Sequence, residues 1–136
     1  MNIKEIMNSN VETIIRTTSL QEAAELMQKE NTGFLVIAEH DEFIGTITDR
    51  DIVVRGIAEG LEIDTTAVQE IMTPNLLSCH EEHTVDEVAN HMNEEHVQRM
   101  PVVNSDNQIT GIVSIGDMAQ HLSPDAIGQA LKVVTE

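Results

Sequence analysis

Apolar residues recur along the chain with two different spacings, and each spacing occurs twice. The spacing i, i+3, i+4, i+7 is found at Leu20, Ala23, Ala24 and Met27, and again at Val85, Val88, Ala89 and Met92. This spacing places the apolar side chains on one stripe of an amphipathic helix. A capping box, hydroxyl-x-x-Glu, precedes each stripe, at Ser19 and at Thr84. The pattern therefore predicts two capped helices with matching apolar faces.

Short runs rich in β-branched residues follow each predicted helix. They read FLVIA and FIGTIT in the first half, and MPVV and ITGIVS in the second. Such runs predict strands, and a shorter helix is predicted after each pair, at DIVVRGIAEG and at DMAQHL. Ser123 followed by Pro124 predicts the start of a further helix. The order strand, helix, strand, strand, helix therefore occurs twice, which indicates a mixed α/β (α+β) fold of two tandem β-α-β-β-α units.

The two halves of the chain are copies of one another. At an offset of 65 residues, IKEIM aligns with VQEIM and TSLQEAAELM with HTVDEVANHM, and one extra residue near position 107 brings Gly45, Thr48 and Asp51 onto Gly111, Ser114 and Asp117. Self-similarity of this kind marks a repeat architecture. We predict the first unit at residues 1–60, a linker at 61–67, the second unit at 68–122 and a C-terminal helix at 123–136.

The acidic composition excludes several classes of function. The chain has 24 Asp and Glu against 7 Lys and Arg, a formal charge of −17. Such a surface repels phosphate backbones and anionic lipid, so neither nucleic acid nor a membrane is expected as a partner. The longest apolar run, 34–38, is too short to span a bilayer. The polar start is not that of a signal peptide, and the single cysteine, Cys79, favours a reducing compartment, so we expect a cytoplasmic protein.

The repeated motif has a glycine, a hydroxyl residue three positions later and an aspartate three positions after that; it reads GTITDRD at 45–51 and GIVSIGD at 111–117. One interpretation is structural: the hydroxyl residue caps a helix, and the aspartate suits the positive end of its dipole. The other is functional: a helix start after a strand favours anions, the hydroxyl can donate to a phosphate, and the aspartate can accept from vicinal ribose hydroxyls. The sequence leaves both interpretations open.

The chain has only four arginines, Arg16, Arg50, Arg55 and Arg99. Arg50 lies inside the first motif, Arg55 lies one turn beyond it, and Arg99 opens a strand before the second motif. On so acidic a protein, cations beside these helix starts could offset the repulsion of a phosphate. The alternative is that each is an ordinary solvated arginine.

The repeat resembles a pair of CBS domains, also called a Bateman module. The residues that carry this resemblance are the unit openings EIMNS and EIMTP, the capped helices, LVIA and MPVV, and the motif in both halves, and together they cover residues 1–122. The resemblance implies two units packed with pseudo-twofold symmetry and two clefts for adenosine nucleotides or related adenosyl ligands. In each cleft the motif aspartate would bind the ribose and the hydroxyl residue would face the phosphates.

Carried onto this chain, the resemblance assigns two unequal ligand-binding clefts. One would use Thr48, Arg50, Asp51 and Thr73, and the other would use Arg99, Ser114 and Asp117, with Asn8 opposite. Phe34 stands where the second copy has Arg99, and Gly116 stands where the first has Arg50. We therefore expect a phosphate-bearing ligand at the second cleft, and either no ligand or a different one at the first.

We predict a regulatory or sensor module that binds AMP, ADP or ATP, with S-adenosylmethionine and NADH ranked behind them, and that requires no cofactor. The resemblance also implies a homodimer, and a further protein partner is open. The alternative is an interaction or dimerisation scaffold with one or both clefts empty. No Walker loop, H-E-x-x-H, C-x-x-C or Ser/His/Asp set is present, so we assign no catalytic residue. We assign no metal site either, since neighbouring residues of CHEEH at 79–83 would point to opposite faces of a strand.

Overall fold

The structure is a computed structural model that describes residues 1–74, 77–122 and 124. The chain forms two compact units: the first unit is Glu12–Leu76, and the second unit is Met1–Val11 together with Leu77–Glu136. These units do not follow the repeat in the sequence. The opening of the first repeat belongs to the second unit, and the opening of the second repeat belongs to the first. The C-terminal helix predicted at 123–136 lies outside the described residues, apart from Pro124.

The first unit contains a four-stranded sheet. Its elements are β1 (Thr13–Ile14), α1 (Leu20–Glu30), β2 (Phe34–Glu39), β3 (Glu42–Thr48), α2 (Asp49–Asp51), a π-helix at Ile52–Ile57 that continues α2, a 3-10 turn at Val68–Glu70, and β4 (Thr73–Pro74). The strand order is β1-β2-β3-β4. β1 runs parallel to β2, and the other two pairs are antiparallel. The segment that opens the second repeat thus supplies β4, the edge strand of this sheet.

The second unit has the same plan with a shorter sheet. Its elements are a 3-10 turn at Ile3–Glu5, β5 (Cys79–His80), α3 (Val85–Glu95), β6 (Arg99–Val103), β7 (Ile109–Ser114), α4 (Ile115–Met118) and a 3-10 turn at Ala119–His121. The strand order is β5-β6-β7. A single bridge between Asn8 and Ile112 stands where the first unit has β4. The mixed α+β fold with a repeated strand, helix, strand, strand, helix order is confirmed.

The predicted capping boxes are present at the start of both long helices. Ser19 Oγ accepts from Glu22 N (3.1 Å), and Ser19 N donates to Glu22 Oε1 (3.4 Å). Thr84 and Glu87 make the same two hydrogen bonds, both 3.1 Å long. The bonds from the Thr84 backbone and side chain hold the pKa of Glu87 below its ordinary value. Local sequence thus determines where each helix begins.

The apolar stripe prediction is confirmed for α3 and partly wrong for α1. All four stripe residues of α3 are buried, and α1 buries Leu20, Ala23 and Met27. Ala24, however, is exposed. Because Leu26 also packs against the core of the first unit, the apolar face of α1 turns towards Ala23 and away from Ala24.

The hairpin turns of the two units differ. The β2–β3 turn places His40 (φ 53°) and Asp41 (φ 67°) in the left-handed region, which costs energy for residues other than glycine. In the β6–β7 turn, Asn104 Oδ1 accepts from the backbone N–H of Asp106 (2.9 Å) and of Gln108 (3.0 Å). Only Asn107 (φ 59°) is left-handed there among the described residues. The first unit therefore has the more strained turn.

Two further features of the surface and core bear on function. Val53, Val54 and Ile57, which we call the apolar ridge, are 55%, 43% and 56% exposed on the helix that follows the first motif. Cys79 is buried in the second unit, and burial raises the pKa of its thiol to about 12, so it is not a nucleophile at neutral pH. Within the described residues, no helix is both long and apolar enough for a membrane span.

Candidate functional site

Each motif begins with a glycine because another chain segment lies against it. A Cβ added at Gly45 would lie 2.6 Å from the carbonyl oxygen of Thr73. One added at Gly111 would lie 2.5 Å from Met7 Sδ and 3.1 Å from the carbonyl oxygen of Asn8. In both units the glycine thus lets the opening segment of the other repeat pair closely with the strand that carries the motif. Thr73 pairs with Thr46 in this way.

The hydroxyl and aspartate of each motif form a capping box. Thr48 Oγ1 accepts from Asp51 N (3.1 Å), and Thr48 N donates to Asp51 Oδ2 (2.9 Å). Ser114 and Asp117 make the same two bonds, each 3.1 Å long. The structural interpretation of the motif is therefore realised in both copies. In both copies the cap uses a single hydrogen bond to Oδ2, which leaves the carboxylate further acceptor positions for a ligand.

In the first unit, the motif acid has a second partner. Asp51 Oδ1 lies 3.9 Å from Arg55 Nε, and Arg55 Nη1 donates to the carbonyl oxygen of Ile71 (3.1 Å). The Asp51 side chain is only 16% exposed. Arg50, by contrast, is exposed, and its backbone N–H donates to Asp49 Oδ1 (2.8 Å).

In the second unit, a cavity of about 290 Å³ adjoins the motif. It is lined by Gln98, Arg99, Ser114, Ile115, Gly116 and Ala119. Arg99 and Ser114 are directly paired between β6 and β7, so their side chains belong to one end of the sheet. Asp117 does not line the cavity and is joined to it through its hydrogen bonds with Ser114. The volume lies just below the range of about 300–1,000 Å³ for small-molecule pockets.

Sequence reasoning missed three residues of this cavity: Gln98, Ile115 and Ala119. Ile115 N donates to the carbonyl oxygen of Gln98 (2.9 Å), which holds the start of α4 against the start of β6. Two of these residues could have been found from their positions in the sequence. Gln98 immediately precedes Arg99, and Ile115 is one of the two residues between the hydroxyl residue and the aspartate of the motif.

The corresponding surface of the first unit has a different charge. Phe34 pairs with Thr48 as Arg99 pairs with Ser114. Asp49 takes the place of Ile115, and its carboxylate lies over Gly33, where an added Cβ would be 2.6 Å from Asp49 Oδ2. An aromatic ring and a carboxylate thus replace a guanidinium and an aliphatic side chain.

The histidines at 79–83 are engaged in local hydrogen bonds. His83 Nδ1 accepts from His80 N (3.1 Å), and His80 Nδ1 accepts from Glu82 N (3.2 Å). Across the described residues, no three His, Cys, Asp or Glu side chains are grouped as metal ligands. The strongest chemical features of the described chain are therefore the two motif sites.

Comparison with known proteins gives consistent results. The sequence profile of the CBS domain matches residues 3–56 and 68–124. The chain is 33% identical over 130 residues to the CBS domain-containing protein YhcV of Bacillus subtilis, covering 95% of this chain and 91% of that protein. It is 34% identical over 132 residues to Hypoxic response protein 1 of Mycobacterium tuberculosis, covering 96% and 92%.

Solved structures agree with the fold. A CBS domain protein of Thermoplasma acidophilum has a TM-score of 0.86 at 25% identity, covering 99% of this chain and 76% of that one. Hypoxic Response Protein I, solved with two coordinated zinc ions, has a TM-score of 0.82 at 32% identity, covering 90% and 99%. A CBS domain pair in complex with 5′-methylthioadenosine and S-adenosyl-L-methionine has a TM-score of 0.77 at 31% identity, covering 90% and 100%.

Where the chain matches an enzyme, the match covers only part of that enzyme's length. The chain is 32% identical to L-aspartate semialdehyde sulfurtransferase of Methanocaldococcus jannaschii but covers only 22% of that enzyme. A match of this extent does not carry an enzyme's catalytic activity to this chain.

Proposed function

The chain belongs to the CBS domain family, and from this membership we propose that it is a regulatory module that binds an adenosyl ligand without converting it. The relative solved with 5′-methylthioadenosine and S-adenosyl-L-methionine is 31% identical over 90% of this chain. Its two ligands share an adenosyl group, which supports an adenosyl ligand here. Regulation fits a chain in which no catalytic motif was found, and its cytoplasmic location stays a prediction from the sequence.

One observation carries the proposal: Arg99 and Ser114 are paired across β6 and β7, and both line one cavity in the second unit. A guanidinium and a hydroxyl suit a phosphate, since both donate hydrogen bonds and one is a fixed cation. We therefore assign AMP, ADP or ATP to the second unit, with Asp117 as the acceptor for the ribose.

The first unit suits a ligand of different charge. Phe34 offers no charge and Asp49 is anionic, so a phosphate at this site would depend on Arg50. An uncharged or cationic adenosyl compound, such as 5′-methylthioadenosine or S-adenosylmethionine, meets less repulsion there. The two sites are thus proposed to select ligands by charge.

Calorimetric titration of nucleotide-stripped protein tests the proposal. The ligands are AMP, ATP, 5′-methylthioadenosine and S-adenosylmethionine, and the variants are Asp51→Ala and Asp117→Ala. We expect saturable binding, with nucleotide affinity falling at least about tenfold in Asp117→Ala because a charged hydrogen-bond acceptor is lost. Absence of heat and of thermal stabilisation with every ligand would refute an adenosyl-binding function. Incubation with ATP and Mg²⁺ should yield no product, and turnover would show an enzyme.

A second candidate, a dimerisation scaffold, is favoured by the apolar ridge. Three adjacent aliphatic side chains more than two-fifths exposed are typical of an interaction surface. We assign this surface to a homodimer. Ile57→Asp should shift the sedimentation equilibrium from dimer to monomer, whereas the control Ile15→Asp, at an exposed residue (53%) outside the ridge, should leave it unchanged. A dimer that survives Ile57→Asp would place the interface elsewhere. A dimer that binds no ligand would favour the scaffold.

A further inference from the structure

Arg55 connects two parts of the first unit that lie far apart in the sequence. Its Nε lies 3.9 Å from Asp51 Oδ1, one helical turn before it, and its Nη1 donates to the carbonyl oxygen of Ile71 at 3.1 Å. Ile71 immediately precedes Met72 and β4, whose Thr73 pairs with the motif strand. The guanidinium therefore joins the motif acid to the segment that completes the sheet.

Each oxygen of the Asp51 carboxylate has a partner within the protein. Thr48 N holds Oδ2 at 2.9 Å, and Arg55 lies on the Oδ1 side. A carboxylate offers about four lone-pair positions. The cap fills one of them, and the longer ion pair orients the group while leaving room for hydrogen bonds on both oxygens. Two vicinal hydroxyls could then donate to one carboxylate whose plane is already set.

The second unit has no equivalent of this contact. At the offset that aligns the two motifs, His121 corresponds to Arg55. Among the described residues, neither His121 nor any other side chain forms an ion pair with Asp117. Asp117 is also exposed, whereas the Asp51 side chain is largely buried. The two motif acids therefore differ in how firmly the protein holds them.

We propose that Arg55 is a positioning residue that holds Asp51 as a preformed acceptor for the two ribose hydroxyls of an adenosyl ligand in the first unit. The inference rests on the proposed function and adds a difference between the two units. The first unit holds its ribose-binding aspartate in a fixed orientation, whereas the second unit holds its aspartate less firmly and has a phosphate-binding arginine nearby. Arg55 acts through Asp51 and Ile71 and does not itself contact the ligand.

The test compares nucleosides with and without one hydroxyl. In an Asp117→Ala background, which weakens the second site, adenosine, 2′-deoxyadenosine and AMP are titrated into the parent and into Arg55→Ala, Arg55→Lys and His121→Ala. We expect the parent to prefer adenosine over 2′-deoxyadenosine by about tenfold, since a hydrogen bond to a charged acceptor is lost. Arg55→Ala should reduce this preference to about twofold, Arg55→Lys should restore part of it, and His121→Ala should change nothing.

Each outcome of these titrations bears on a different part of the proposal. An unchanged preference in Arg55→Ala, whether or not overall affinity falls, would overturn the positioning role, because a general structural defect weakens both nucleosides equally. A selective loss of AMP binding would also overturn it, since it would show a direct phosphate contact. Failure of the parent to bind any of the three compounds would instead refute the proposed function of the first unit and the inference with it.

Discussion

The two motif sites have the same backbone arrangement and differ in almost every charge around it. Both have a glycine under an incoming segment and a capping box between a hydroxyl residue and an aspartate. The first site then adds Phe34 and Arg55, and the second adds Arg99 and a cavity. Because capping occupies one carboxylate oxygen in each copy, the repeat fixes the position of the acid in both units. In the function proposed above, the neighbouring residues would then determine which ligand each site selects.

The largest difference that we expect between the two sites is in how much stability is lost when the motif glycine is replaced. At Gly45 an added methyl group meets the backbone carbonyl of Thr73, which is part of a paired strand and cannot move alone. At Gly111 the closest atom belongs to the flexible Met7 side chain. We expect Gly45→Ala to lower the free energy of unfolding by about 3 kcal/mol and Gly111→Ala by about 1 kcal/mol. Urea denaturation measures both, and equal losses would show that Met7 is as rigid as the β4 backbone.

The next effect concerns ligand charge. Arg99→Ala should weaken AMP binding by about tenfold, or about 1.4 kcal/mol, while leaving adenosine almost unchanged, because only the phosphate contact is lost. The reciprocal change, Phe34→Arg, should raise the AMP affinity of the first unit in an Asp117→Ala background. Calorimetry with AMP and adenosine gives the ratio of their affinities for each variant and its parent. Equal weakening of AMP and adenosine in Arg99→Ala would mean that Arg99 shapes the cavity rather than binding phosphate.

The smallest effect concerns the hairpin turns. The double substitution His40→Asn with Asp41→Gly places residues that tolerate positive φ in the strained turn, so we expect a gain of about 1 kcal/mol in the free energy of unfolding. The control Asn107→Gly should be close to neutral, because asparagine already accepts this conformation. Thermal and urea melts compare the three proteins. A loss of stability in the double variant would show that the His40 or Asp41 side chain makes an interaction worth more than the strain.

Features that depend on neighbouring residues could be predicted from the sequence, and features that depend on distant ones could not. The caps at Ser19 and Thr84 and the order of strands and helices along the chain follow from local pattern, and the structure contains them. The exposure of Ala24 could not be predicted, because it depends on how Leu26 packs against the core. The contact between Arg55 and Ile71 joins two segments that share no local pattern.

The boundaries of the compact units also depend on contacts between distant residues and could not be predicted from local pattern. A repeat in the sequence suggests that each copy closes on itself, but the opening residues of each copy pair with the other copy's motif strand. Self-similarity identifies equivalent residues without saying which copy supplies the pairing partner. For this reason the predicted units at 1–60 and 68–122 describe the repeat, whereas the compact units begin and end elsewhere.

The placement of the first eleven residues has a consequence during synthesis. The first unit is continuous in the chain, so all of its residues are present once Leu76 has left the ribosome. Asn8 must wait for Ile112, about a hundred positions later. At roughly 5–20 residues per second, Asn8 remains without this partner for on the order of ten seconds. The start of the same segment finds partners earlier, because Ile3 N donates to the carbonyl oxygen of His83 (2.8 Å) and Lys4 N to that of Glu81 (3.1 Å). A nascent chain stalled between His83 and Ile112 would therefore leave Asn8 without its pairing partner.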